Sequence, residues 1–152
     1  MDNDAYSKML AYIDENPLAI IGTLNPDGSP HGAVVYICPD DRRHAVYFIT
    51  KTGTQKYKNI GEHDRVSLTV VNPADNSTLQ ANGQAFIVND AAIIDMTVKQ
   101  ITRQHALAVE WLPPIAKIRA GAYVVVGVKI VSARLSQFNG MEIGDERIFT
   151  RV

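Results

Sequence analysis

Between residues 47 and 60 the chain reads YFITKTGTQKYKNI. An apolar stretch ends in a hydroxyl and runs into a turn carrying Thr50, Lys51, Thr52, Gly53 and Thr54. A short basic segment holding Lys56 and Lys58 follows, and its composition predicts a helix over 55–62. Hydroxyls, ammonium groups and the free N–H donors of a helix start are thereby gathered in one place, which suits a phosphate. Three Thr, three Lys and a Gly within nine residues are an unusual way to build a plain surface loop. If the anion belongs to a nucleotide-like cofactor, the chain is an enzyme or a cofactor carrier.

Each of these residues also has a plainer role. Lys56 is either a point charge for the phosphate or a solvated helix lysine. Thr54 suits the N-cap of the helix, and that role is compatible with an anion because a cap sits where an anion binds. Lys58 lies well around the helix from Lys56 and is expected at the surface. His31 follows Pro30 at a strand start, where it either meets a ligand or moves a proton, or is a partly exposed strand-end residue. His44, His63 and His105 have no partner pattern and are expected at the surface. Consecutive side chains diverge in Glu62-His63-Asp64, so no metal is assigned there, and no Cys/His grouping has zinc spacing. The single cysteine, Cys38, excludes an internal disulfide and reads as a small structural residue. No catalytic acid–base pair is recognisable.

The elements that must position these groups are mostly strands. Residues 3–15 read as an amphipathic helix with Tyr6, Met9, Leu10 and Ile13 on one side, stopped by Pro17. Strands are expected at 18–24 and 31–38, joined by the turn Asn25-Pro26-Asp27-Gly28. A second turn at 39–43 leads to a third strand at 45–50. Strands at 65–71, 78–88 and 122–135 follow, the middle one interrupted by Gly83, which suggests a bulge or a close approach to the backbone. The longest helix is expected over 91–109 and ended by Trp111-Leu112-Pro113-Pro114. Trp111 is expected to pack that helix on the barrel rather than stack on a ligand.

Sequence-adjacent hairpins rich in Val, Ile and Thr favour an antiparallel sheet, closed into a small barrel to remove its edges. The fold expected is mainly β (α+β), a six-stranded antiparallel split β-barrel with flanking helices, in a single domain over 1–152. With 46% apolar and 20% charged residues the chain is globular. Its net charge of −1 argues against a general nucleic-acid binder. The acidic, polar start MDNDAYSK is not expected to act as a signal peptide, and no apolar run nears the roughly 20 residues that cross a bilayer. A cytoplasmic setting is the expectation.

The order of these features carries a resemblance. A strand, the Asn-Pro-Asp-Gly turn, Pro30-His31, Tyr47-Phe48-Ile49-Thr50, Thr54-Gln55-Lys56, Asn59-Ile60, Arg65-Val66-Ser67-Leu68 and Gly83-Gln84-Ala85 together resemble the pyridoxamine 5'-phosphate oxidase-like proteins, which are FMN-binding split barrels. The likeness runs over roughly residues 15–90, and the last third matches in pattern. It implies a homodimer with FMN at the subunit interface. It places His31, Ala33, Val34 and Val35 on the second strand and Phe48, Ile49 and Thr50 on the third, lining the isoalloxazine. It makes Thr54, Gln55 and Lys56 the phosphate segment, with Lys51 beside it. Thr50 and Thr54 would offer hydroxyls to the phosphate or to a flavin carbonyl.

The namesake oxidases carry an Arg-Lys pair where this chain has Gln55-Lys56, so one phosphate cation is missing. The ending, Glu146 to Val152, lacks their Trp and Arg-rich pattern. The resemblance therefore implies an FMN-dependent oxidoreductase of flavin-reductase type acting on a small molecule, not a true pyridoxamine phosphate oxidase. The alternative is a non-catalytic flavin carrier or sensor. A deazaflavin tail would want more cations than Lys51 and Lys56, and haem would need an axial ligand, for which His31 or a C-terminal residue is the candidate.

Overall fold

The computed structural model describes residues 3–105, 121–138 and 149–151. Helix α1 (Asn3–Glu15) buries Tyr6, Met9, Tyr12 and Ile13, the positions its periodicity marks as one face. Pro17 cannot extend it, and the Asn16 side chain donates to the Tyr12 carbonyl at its end. The hairpin of β1 (Leu18–Leu24) and β2 (Pro30–Tyr36) then forms in the register Leu18↔Tyr36 to Leu24↔Pro30. Its turn closes when the Gly28 amide donates to the Asn25 carbonyl at 2.8 Å, with Gly28 at φ +83, a backbone region that glycine enters without strain.

The remaining elements are β3 (Cys38–Asp40), β4 (Ala45–Lys51), α2 (Gln55–Glu62), β5 (Arg65–Asn72), β6 (Ser77–Ile87), α3 (Ala91–His105), β7 (Tyr123–Ser136) and β8 (Phe149–Arg151). They build one antiparallel sheet in the order β2-β1-β5-β6-β7-β4-β3, with β8 added to β7. The six expected strands are present, and two short ones join them. The strand expected to run to Cys38 breaks at Ile37, whose amide donates to the Pro17 carbonyl. Cys38–Asp40, expected in part as turn, pairs instead with Ala45–Tyr47. Pro39 is tolerated there because β3 is an edge strand and has no ladder to feed on its outer side.

The sheet curls without closing. Strands β2 and β4 approach each other, yet no ladder joins them among the described residues. The sheet is therefore the split barrel expected, and the edges that full closure would have removed persist along one seam. Inside, Ile21, Val35, Ile37, Val46, Phe48, Val70, Val126 and Val128 form one core that α1 plugs from one end. A smaller cluster of Ala45, Tyr47, Val88, Ile93 and Val125 lies on the outer face of β4 and β7, under α3. Strand β4 is thus covered on both faces.

Gly83 serves both purposes expected of it. The β6–β7 register shifts between Asn82 and Gly83, leaving Val131 of β7 unpaired in a bulge. A side-chain carbon at Gly83 would come within 2.6 Å of the Lys129 carbonyl oxygen, so the strands approach there as only glycine permits. One surface expectation does not hold: His44, at φ 51 in the turn before β4, stacks on Tyr6 with ring centroids 4.2 Å apart. Trp111, Pro113 and Pro114 lie outside the described residues, as do 106–109 of the long helix and 139–148 of the C-terminal run. Among the described residues no helix is long and apolar enough to cross a membrane.

Candidate functional site

Strand β3 covers β4 only as far as Tyr47, so among the described residues one edge of β4 carries no ladder from Phe48 to Lys51. That edge lies on the side of the seam towards β2, whose own outer edge carries no ladder among the described residues. Two rows of main-chain donors and acceptors without a ladder among the described residues therefore border the seam, and β4 leads from it into α2.

The turn beyond β4 is tied down by its hydroxyls. Thr54 Oγ1 donates to the Lys51 carbonyl at 2.8 Å and lies 3.0 Å from Thr50 Oγ1. Thr52 Oγ1 accepts from the Ala122 amide at 3.2 Å, and the Thr52 amide donates to the Ala122 carbonyl at 3.0 Å. Thr54 does occupy the N-cap position of α2, but its hydroxyl makes no capping bond. The first-turn amides of α2 are left without the side-chain acceptor that a cap usually supplies. An anion would take that place.

Lys56 stands in this first turn. It is partly buried, and desolvation lowers its pKa from 10.5. It forms no ion pair among the described residues. A desolvated ammonium without a counter-charge, beside uncapped amides and a hydroxyl pair, has the donor set that a phosphomonoester needs. These residues fit the phosphate of FMN. Lys51 is buried, and its ammonium lies 4.6 Å from the centre of the Tyr123 ring, its cross-strand neighbour. Lys58 is exposed, as expected.

The other candidates divide by strand parity. Ala33 and Val35 face the barrel core, while Val34 is 55% exposed on the outer face. Phe48 is wholly enclosed in the core and Thr50 is fully buried, while Ile49 packs on the outer cluster under α3. Side chains of Val35 and Phe48 are therefore closed to a ligand, and what these positions offer is main chain along the seam. His31 is partly buried opposite Thr23. Gln55 is exposed, and its amide is engaged, donating to Asn59 Oδ1 at 2.8 Å.

Asn59 is the residue that motif reading underrates. Buried to 1% exposure, it accepts from Gln55 and donates to Thr23 Oγ1 and Asn25 Oδ1, both at 3.0 Å. This amide fastens the phosphate-side helix to the β1–β2 hairpin. Its partners lie 36 and 34 residues away, so only the unusual burial of an Asn on an apolar helix face could have signalled it.

The family described as "Pyridoxamine 5'-phosphate oxidase" matches residues 6–137, almost the whole described fold. The chain belongs to the pyridoxamine 5'-phosphate oxidase family. Over 82 residues it is 35% identical to the F420H(2)-dependent biliverdin reductase of Mycobacterium tuberculosis (strain CDC 1551 / Oshkosh). That match takes in 53% of this chain and 58% of the relative, so the chain spans little more than half of the curated protein it resembles. Among solved structures, an F420 reductase is 22% identical with a TM-score of 0.61, over 80% of this chain and 93% of its own. A heme binding protein from Mycobacterium smegmatis is 11% identical with a TM-score of 0.68, over all of this chain and 58% of its own. At such identities these two structures share the fold.

Proposed function

We propose that the chain is an FMN-dependent oxidoreductase of flavin-reductase type, with the flavin phosphate at the start of α2. The observation that carries this reading is the desolvated, uncompensated Lys56 next to the uncapped first turn and the Thr50–Thr54 hydroxyl pair. When bound, FMN supplies hydride acceptance and donation, so the protein needs no acid–base pair of its own. Lys56 and the α2 amides hold the phosphate, Lys51 adds positive charge beside it, and Gln55 steadies Asn59. The free edges at Ala33–Val35 and Phe48–Thr50 orient the ring through main-chain bonds, and Val34 and His31 border it from β2.

The site is completed by a second copy of the chain. Leu18, Ile20, Val34 and Val71 are 47%, 49%, 55% and 49% exposed, and the ladders place them side by side on one outer face. A contiguous apolar patch of that kind marks an interface. A single domain over 1–152 with FMN between two such copies is the arrangement proposed.

A second reading replaces FMN with the deazaflavin F420, favoured by the 35% identity to an F420H(2)-dependent enzyme. Titrating the purified protein with FMN and with F420, followed by fluorescence, separates the two. Tight FMN binding, with bleaching by NADH or NADPH, is the outcome expected of the reductase. FMN binding without bleaching would turn the reading to a flavin carrier or sensor. A protein that ignores FMN and binds F420 would overturn the FMN assignment.

A further inference from the structure

A cleft of about 670 Å³ opens on the outer face of the sheet, across the ends of β1, β5 and β6 and the bulge of β7. None of the residues of the flavin reading lines it. Arg65 on its wall opens β5 just after α2 ends, so the cleft lies at the C-terminal end of that helix. The proposed phosphate site lies at the other end, about 12 Å away for a helix of eight residues.

The lining is that of a small-molecule site. Its volume falls within the usual range for ligand pockets, and its walls are mainly apolar. Leu24 and Pro30 form one side, and Val131, held out by the bulge at 68% exposure, forms the other. Between them the floor is low, built of strand backbone and the small side chain of Ser67. Gly22 gives no side chain, and the Ser67 hydroxyl leans over the space that a Cβ there would take. On β6, Gly83 adds only main chain to the lining, since the space for a side chain there lies on the core side against Val128. A flat, rigid group can lie on such a floor where a branched one would stand off.

Polar groups converge at one end. Arg65, Ser67 and Asn82 line the cleft, and their side chains have no hydrogen-bond or ion-pair partner among the described residues. In the same row across the sheet stand Arg65, Gln84 and Lys129 as successive cross-strand partners. Lys129 is exposed and likewise unpaired among the described residues. The nearby carboxylate of Asp64 is already engaged, accepting from the Gln84 amide at 2.7 Å. Arg65 is thus a cation in the cleft wall with no partner among the described residues, and Lys129 stands further along the same row, beyond Gln84.

We propose that this cleft is a second ligand site for a planar aromatic carboxylate. The ring lies over Ser67 and Gly22 between Leu24 and Val131, the carboxylate pairs with the Arg65 guanidinium, and Asn82 donates to its remaining oxygen. Arg65 suits this role because its planar fork matches a carboxylate. The inference stands whichever cofactor the chain binds.

Titration of the isotope-labelled full chain, with and without FMN, by 2-naphthoate tests it through backbone amide shifts. Saturable shifts are expected at Gly22, Ser67 and Gly83, at the same positions in both samples. Arg65→Gln should weaken the affinity at least fivefold, and the neutral 2-naphthalenemethanol should bind at least fivefold more weakly than the acid. Val131→Glu, at an exposed position that tolerates change, should abolish binding while leaving the spectrum of a folded protein. Shifts confined to Leu18, Ile20, Val34 and Val71 or to the start of α2 would overturn the proposal. So would equal affinity in Arg65→Gln or for the neutral analogue.

Discussion

Lys56 is a cation held partly out of water with no counter-charge opposite it among the described residues, and a phosphate would remove that imbalance. In the ligand-free chain its charged form is disfavoured, so a stability cost is present at neutral pH. The cost is relieved as pH rises through the depressed pKa towards 10.5. Binding runs the other way, because the phosphate needs the proton that high pH removes. FMN affinity is therefore expected to fall as pH rises from neutral through the depressed pKa, and fluorescence titration at a series of pH values would record it. Lys56→Ala should weaken FMN binding at least tenfold, more than ~1.4 kcal/mol, and flatten that pH dependence. Equal affinity in the variant would place the phosphate elsewhere. The buried thiol of Cys38, pushed up to about 12 by desolvation, belongs to the packing and not to this chemistry.

Helix α2 is short, and its position depends on one amide. Removing the Asn59 side chain leaves the Thr23 hydroxyl, 2% exposed, without its partner and frees Gln55. Asn59→Ala is expected to cost about 1–3 kcal/mol, read as a lower urea midpoint with unchanged slope. An unchanged midpoint would show that the helix is held by Ile60 packing alone. At this scale the sequence was largely legible. Composition and the Thr54 cap position gave α2 its observed limits, and the spacing of Tyr6, Met9 and Ile13 gave α1. What escaped was long-range. Cys38-Pro39-Asp40 has the residues of a turn and becomes a strand only because β4 offers it a partner. The run Tyr47-Phe48-Ile49-Thr50 is covered on both faces, so it shows no alternation by which to tell ligand-facing from core-facing side chains. Asn59 finds its partners in a hairpin distant in sequence.

For the molecule as a whole, the outer face of β1 and β2 is more apolar than water tolerates well. Ile20 stands between Val34 and Thr69 in that face. Ile20→Glu is expected to convert a dimer to monomers in light scattering and to weaken FMN binding with it. A wild-type chain that runs as a monomer would refute the interface, and a dimeric Ile20→Glu would move it. The family relationship and split architecture were legible from the order of motifs, whereas the position of the seam depends on which strands find ladders. The sheet order also has a meaning for how the chain is made. Strand β4, with Val46, Tyr47 and Phe48 entirely enclosed, takes its main ladder from β7, which follows β5, β6 and α3 in sequence. On the ribosome β4 therefore emerges long before its partner. Most of the apolar core is synthesised ahead of the strand that joins its two halves, so closure is a late, non-local step in which the nascent chain is exposed to misassociation.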